Sequence, residues 1–319
     1  MLRVKNMKQN MPYYRSFSSY LKERFGCKVF RVSLDAGFTC PNRDGTLGYG
    51  GCAYCSPDGS WNREISILKL NEQVEKGIER AEKRYGAQKF IAYFQAFTNT
   101  YASVSELKEI YDRVLSMSNR FVGLAIGTRP DCIDDEKLKM ISEYKTMGYD
   151  VWIEYGLQSS NEKTLEIINR KHGVKVFEEA VLLTKKYEIN VAVHVIIGLP
   201  GEGIEDVHNT ANYVAGLPVD GVKLHNLNIV KNTLVAKWYW EGRIIPLSLD
   251  AYVNLAVDFL ERIKPDITVQ RLVAESSRDS LIEPKWSLDK SAVINYINKI
   301  FSDRNSYQGR LYKKRGDGM

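Results

Sequence analysis

Short apolar runs rich in β-branched and aromatic residues alternate with amphipathic stretches along the middle of the chain. The runs at 29–34, 90–95, 121–127, 151–156, 191–197 and 221–227 have the length of strands. The stretches at 71–85, 105–117, 134–147, 174–187 and 204–217 carry apolar residues at helical spacing. Strands parted by helices of this length indicate βαβ units and a parallel sheet. Several strands are apolar nearly throughout, VAVHVII at 191–197 among them. That is the pattern expected when helices cover one face and a core fills the other. From the second strand the repeat is about 30 residues, which suits a doubly wound sheet or a partial barrel. Both folds bind ligands at the carboxyl ends of their strands, so the residues just after each strand are where chemistry is sought.

The flanks read differently. Residues 1–28 form a basic extension with a predicted helix at 16–25, ahead of a core at 29–245. Residues 246–319 form a largely helical extension with a basic tail; helices are predicted at 248–263 and 288–301, with a β-like run at 267–272 between them. With 319 residues, 44% hydrophobic and 26% charged, the chain suits one large α/β domain with additions. No run of about 18 apolar residues predicts a membrane span, and the first thirty residues lack the apolar segment of a signal peptide. A cytoplasmic protein without a membrane partner is expected.

Charge adds a further hint. The net charge is +6, but residues 1–28 hold seven basic residues against Glu23, and residues 304–319 hold five against Asp317. An acidic body with two basic ends suits a polyanion such as RNA. Two solvated tails would give the same pattern.

The chemistry concentrates after the first strand. Three of the five cysteines, Cys40, Cys52 and Cys55, fall within SLDAGFTCPNRDGTLGYGGCAYC. In a reducing compartment such a set reads as a metal or cluster site and not as a disulfide framework. Zinc usually recruits a second ligand pair. None follows here, because Cys132 is distant in sequence and the four histidines show no paired spacing. Three thiolates on a four-iron cluster leave one iron without a protein ligand, open to a substrate or cofactor.

The C-x11-C-x2-C spacing, with Tyr54 before the last cysteine and a (βα)6 pattern behind it, resembles the radical S-adenosylmethionine (SAM) superfamily. The wide spacing is similar to the subgroup of the Elongator catalytic subunit and the oxygen-independent coproporphyrinogen oxidases. YFQAFTNTYA, TRPDCI, EYGLQSS, INRKH, HVIIGLPGE and NSYQGRLYKK extend the likeness to a bacterial family of tRNA wobble-uridine enzymes of the MnmL type. The resemblance implies an α/β fold, a partial (β/α)6 TIM-like barrel with helical N- and C-terminal additions. It implies a [4Fe–4S] cluster on Cys40, Cys52 and Cys55, with SAM on the open iron. One electron, from a donor such as flavodoxin or ferredoxin, then cleaves SAM to a 5′-deoxyadenosyl radical. The implied reaction converts 5-carboxymethylaminomethyl-(2-thio)uridine in tRNA to 5-aminomethyl-(2-thio)uridine. A radical SAM enzyme for a tetrapyrrole or peptide, or a non-catalytic Fe–S or zinc module, would share the motif.

Site residues follow from the same resemblance. Tyr54 approaches the adenine of SAM. Gln95, Thr98 and Asn99 stand where the SAM amino group is bound, although the usual Gly-Gly-Glu is missing. Thr128, with Arg129 and Asp131 beside it, reaches the ribose or the substrate. Glu154 meets a ribose hydroxyl or a neighbouring arginine, because a buried carboxylate needs a partner. Gln158 faces SAM, Arg170 pairs with its carboxylate, and the backbone at Gly198 packs on adenine. Lys223 is a candidate catalytic group for a substrate carboxylate or phosphate. Cys132 is a candidate hydrogen-atom donor and equally a small buried hydrophobe. His194 reads as a core residue. Lysines and arginines of the two chain ends are expected to hold RNA phosphates, with tyrosines 13, 14, 307 and 312 stacking on bases.

Overall fold

The computed structural model describes residues 12–56 and 68–313. Arg3, Lys5, Lys8, Lys314 and Arg315 of the basic ends lie outside the described residues. Helix α1 (Phe17–Phe25) starts where the Ser16 side chain accepts from Ser19 N and stops at Gly26 in the left-handed region. Strands β1 (Val29–Leu34), β2 (Lys89–Phe94), β3 (Phe121–Thr128), β4 (Asp150–Gln158), β5 (Asn190–Ile197) and β6 (Gly221–Asn226) lie side by side in chain order, every pair parallel. The crossovers carry α2 (Leu70–Tyr85), α3 (Val104–Ser116), α4 (Asp135–Thr146), α5 (Glu162–Ile167), α6 (Val174–Lys186) and α7 (Ile204–Gly216). Then follow β7 (Ile229–Val230), α8 (Leu234–Trp240), α9 (Leu249–Arg262), β8 (Thr268–Arg271), β9 (Leu281–Glu283) and α10 (Lys290–Asp303).

The expected six strands are seven. The β-like run in the C-terminal part supplies β8, which pairs in parallel with β6 at the edge of the same sheet. Its four residues are too short to carry a pattern of their own, and the buried Ile267, Val269 and Leu272 gain their partners only from the sheet. Strands β7 and β9 form a separate antiparallel pair. Helices α5 and α8, of 6 and 7 residues, are too short for periodicity to reveal them.

Side chains reaching across one face decide between the open sheet and the barrel. Arg31 on edge strand β1 donates to Gln270 Oε1 on the opposite edge strand β8 at 2.5 Å. Lys223 on β6 donates to the Tyr93 hydroxyl on β2 at 2.8 Å. Such chords require that the sheet curl into a partial barrel. Its outer face packs against the helices through residues such as Phe94, Tyr111, Ile126, Phe177, Val193 and Phe259.

Helix α1 stops the amino end of the barrel. Phe17 and Leu21 pack on Ile91, Ala125, Trp152 and Ala192 of the inner face. The Phe17 ring stands edge-on to Trp152 at 5.3 Å. Tyr20 and Arg24 both engage Asp150, the first residue of β4, at 2.9 and 3.2 Å. The described parts of both chain ends also sit here: Val269 N donates to Arg15 O, and Gln308 N to Tyr13 O. Two of the four expected stacking tyrosines are therefore spoken for. Tyr13 lies flat on Phe301 at 5.6 Å and Tyr14 tilts against it at 6.4 Å, because the apolar side of α10 needs cover. Tyr307 is exposed and Tyr312 half-buried. No helix among the described residues is long and apolar enough to cross a membrane.

Removing the Phe17 ring should leave a cavity over Trp152 and cost roughly 3–5 kcal/mol of unfolding free energy. Urea denaturation of Phe17→Ala checks this; a loss under about 1 kcal/mol would mean that the plug bears no weight.

Candidate functional site

The loop after β1 carries the three cysteines to the carboxyl end of the barrel, where the turn after α5 holds it. Ala53 N donates to Ile168 O at 2.9 Å. Asn42 Nδ2 donates to Asn169 O at 2.7 Å, and Asn169 Nδ2 returns a bond to Gly51 O at 2.8 Å. Asn169 takes the left-handed conformation (φ 55°) that asparagine tolerates. Two further ties reach the loop: Thr98 N donates to Thr39 O, and Val235 N at the start of α8 donates to Ala53 O. The two asparagines are functional residues that sequence reasoning missed. Their only signal is their place inside CPNRDG and INRKH.

The loop sits among buried cations. A hydrogen bond from Cys55 holds the Cys52 thiol well below its ordinary range against the opposing effect of burial, and Arg170 adds to this. The shared proton pushes Cys55 well up. Arg170 Nη1 lies 3.4 Å from Cys52 Sγ, while its Nη2 donates to Gly156 O at 2.7 Å. Arg129, 2% exposed, grips both oxygens of Asp131 at 2.8 and 2.7 Å. Burial, then Arg170 and Arg129, push His172 down to about 2, so it is neutral. Burial and the Cys52 thiolate keep the Tyr54 hydroxyl protonated.

Several polar atoms of this shell are buried without partners: Arg170 Nε, Arg129 Nη1, His172 Nε2 and Asn99 Oδ1. Each orphan costs on the order of 1–3 kcal/mol, so a group of them around one loop marks a place for a ligand. Guanidinium donors suit a thiolate-held cluster and a carboxylate, and an amide oxygen suits an ammonium group. The residues present therefore fit a cluster with SAM beside it. A zinc ion needs its ligands to meet at one point. Among the described residues, no three His, Cys, Asp or Glu side chains do so.

Most of the expected SAM contacts come to this end. Thr98 and Asn99 are buried, and Asn99 Nδ2 donates to Gly127 O at 2.8 Å. Gln95 is half-buried at the end of β2. Thr128 is buried and shares a hydrogen bond with Thr100 Oγ1 at 2.6 Å. Gln158 ends β4 in the left-handed region (φ 73°). Gly156 makes room for it: a Cβ there would lie 2.5 Å from Gln158 Nε2 and 2.7 Å from Arg170 Nη2. Gly198 stands after β5 with φ 93°. Cys132 is buried, and burial followed by Asp131 pushes its thiol up to about 12, so it keeps its hydrogen.

Glu154 and Lys223 lie elsewhere, deep inside the barrel. The Glu154 carboxylate meets Lys223 Nζ, His194 Nε2 at 3.0 Å and Arg31 at 3.2 Å. Arg31 is the neighbouring arginine of the second expectation, and Lys223, Arg31 and the His194 hydrogen bond outweigh burial to hold the carboxyl well below its ordinary range. Lys223 is 0% exposed, which removes it from direct contact with a substrate and makes it a positioning residue for Glu154. His194 is a partner in this network and not a plain core residue.

A sequence profile of the radical SAM superfamily matches residues 40–214, and one of the radical SAM C-terminal domain matches 219–302. The chain belongs to the radical SAM superfamily. As a radical SAM enzyme it uses a [4Fe–4S] cluster and SAM. The uncharacterized protein YtqA of Bacillus subtilis is 39% identical over 320 residues, spanning 97% of this chain and 98% of that protein. The tRNA uridine(34) acetyltransferase of Dehalococcoides mccartyi is 27% identical over 176 residues, 54% of this chain and 37% of that protein. Among solved structures, the archaeal Elp3 of Methanocaldococcus infernus shares the fold at a TM-score of 0.68 and 17% identity. The match covers 88% of this chain and 64% of that one.

Two outcomes follow for this radical SAM enzyme. Gly156→Ala should displace Arg170 and Gln158 and weaken SAM binding about tenfold, equivalent to ~1.4 kcal/mol, with the iron content retained. Equilibrium binding and iron assay check it, and unchanged SAM affinity would refute the crowding. The second concerns Glu202, which accepts from Ser159 Oγ and is raised by burial from 4.5 to about 7. The native chain thus keeps a proton that the unfolded chain releases. Stability from this group is full below pH 4.5 and is lost as pH rises through 7. Glu202→Gln should flatten that decline in urea melts between about pH 5 and 8.

Proposed function

We propose that this enzyme acts in the cytoplasm on tRNA, as a member of the MnmL-type group. It removes the carboxymethyl group from 5-carboxymethylaminomethyl-(2-thio)uridine at the wobble position and leaves 5-aminomethyl-(2-thio)uridine. Flavodoxin or ferredoxin is the electron donor. The observation that carries RNA as the substrate is the surface beside the cysteine loop. Helix α8 is tied to that loop through Val235 N and Ala53 O at 3.0 Å. Its far end exposes Trp240 at 71%, with the Tyr239 ring 5.0 Å away. Lys237 and Arg243 are exposed alongside, the Arg243 guanidinium 5.3 Å from the Trp238 ring. Aromatic faces interleaved with cations bind single-stranded bases and their phosphates. This surface adjoins the cysteine loop, whereas Tyr13 and Tyr14 lie at the closed end of the barrel. A relative named tRNA uridine(34) acetyltransferase supports the same substrate class.

Bound cluster and SAM supply hydrogen-atom abstraction, and the chain supplies position and electrostatics. Arg170 and Arg129 stabilise negative charge at the cysteine loop. Asn99 offers its free amide oxygen to an ammonium group. After hydrogen abstraction from the arm's methylene, return of one electron to the oxidised cluster and hydrolysis of the resulting imine would release the carboxymethyl group as glyoxylate and leave the amine. A wobble base leaves its stack at little cost because the anticodon loop is single-stranded.

Nucleoside mass spectrometry of tRNA from a strain lacking this gene should show the carboxymethylaminomethyl form accumulating and the aminomethyl form gone; unchanged levels of both would end the tRNA assignment. Trp240→Ala should weaken tRNA binding by roughly 1–3 kcal/mol if a base stacks there. Filter binding at fixed salt reads this directly.

A further inference from the structure

The barrel interior holds more cations than carboxylates. Arg31, Tyr93, Glu154, His194, Lys223, His225, Gln270 and Arg271 gather there from six strands. Arg271 is placed by register. Strand β8 slips by one residue opposite Val222 and Lys223, so Gln270 falls out of step and Arg271 pairs with Lys223. Partnered residues of a parallel pair face the same side, and the bulge therefore turns Arg271 inward with Lys223.

The charges in this chamber do not balance. Both histidines are neutral: burial lowers His194 to about 4 and holds His225 well below its ordinary value. Burial also pulls Lys223 well below its ordinary range, so Arg31 and Arg271 are the fixed cations, and they face one carboxylate, Glu154, which is taken up by Lys223 and Arg31. Glu275 feels the field of Arg271 but is held by Lys290 at 2.5 Å. Among the described residues, Arg271 makes neither a hydrogen bond nor an ion pair. His225 Nε2 is likewise buried without a partner. The His194 and His225 rings stack at 5.3 Å, which fixes the direction of that free nitrogen. A half-buried guanidinium beside an unpaired buried imidazole nitrogen offers two donors to an anion.

We propose that Arg271 and His225, whose ring is held by stacking on His194, form an anion site inside the barrel that grips the carboxylate of the substrate's acidic side arm. This rests on the wobble-uridine reading and names what holds the arm. A guanidinium binds a carboxylate through two parallel hydrogen bonds. The site also separates substrate from product. Once the carboxymethyl group is gone, the arm ends in an ammonium group that faces Arg271, and the like charge expels it.

The first experiment needs no tRNA. The melting temperature of the cluster-loaded enzyme is titrated with sodium acetate and with sodium phosphate, each against sodium chloride at equal ionic strength. Acetate should raise it in the native enzyme and not in Arg271→Gln; equal shifts in both proteins would overturn the site. A shift with phosphate alone would overturn the carboxylate assignment. Arg271→Lys should respond partially. If Arg271→Gln does not fold, His225→Asn carries the same comparison.

The second experiment measures tRNA affinity without reductant, so that nothing turns over. The native enzyme should prefer tRNA bearing the carboxymethylaminomethyl group over tRNA bearing the aminomethyl group by on the order of 10- to 100-fold. Arg271→Gln should bring that ratio close to one, whereas a purely structural defect would weaken both tRNAs alike. An unchanged ratio would overturn the role of Arg271. No preference in the native enzyme, with the acetate shift present, would sink the wobble-uridine reading and leave the anion site standing.

Discussion

Glu154 is a carboxylate buried in the middle of a parallel barrel, and much of the structure answers to that. A carboxylate in such a place must be neutralised or surrounded by cations. Arg31 and Lys223 approach it from two other strands, and neutral His194 adds a hydrogen bond from a third. Because Arg31 also reaches Gln270 on the far edge, the network binds both edges of the sheet to its middle. A chord of charge across the interior sets how tightly the sheet curls, and so how wide its open end is. Buried ion pairs are weak evidence for stability, and fixing a unique geometry is a separate use. Here the geometry fixed is the interior lined by Arg31, Glu154, His194 and Lys223.

The cysteine loop depends on a different constraint. A glycine-rich loop of this length has many conformations, and holding three thiols in place costs backbone entropy. Asn42 and Asn169 offset that cost with reciprocal side-chain-to-backbone bonds, and the left-handed turn at Asn169 lets Arg170 point back at Cys52. The same turn orients the loop and supplies its counter-charge. A substitution in INRKH would therefore disturb the loop's shape and its electrostatics together.

The parts of the fold that were legible in the sequence are those with local causes. The strands that became β1 to β6 carry long apolar runs, and their helices carry full amphipathic stripes. The cysteine spacing needed no structure to be read. What stayed hidden has non-local causes. Strand β8 was visible as a β-like run at 267–272, but its place at the edge of the main sheet is set by pairing with β6. Arg271 faces inward because of a one-residue slip that no periodicity reveals. Lys223 and Glu154 read as separate contacts for substrate and ribose, yet 69 positions apart they satisfy each other. The basic ends suggested an RNA grip, but Tyr13 and Tyr14 belong to the packing of α10, and charge counts carry no information about which end of a barrel a residue occupies.

The plug made by α1 has a consequence for traffic. With Phe17 and Leu21 packed on the inner face at the amino end, the way into the interior among the described residues is the carboxyl end, beside the cysteine loop. Whatever enters deepest must enter first, and the last molecule in must be the first out. Passage through such a mouth is sequential, so the slow step of a catalytic cycle can lie in unloading a stack and not in making or breaking a bond.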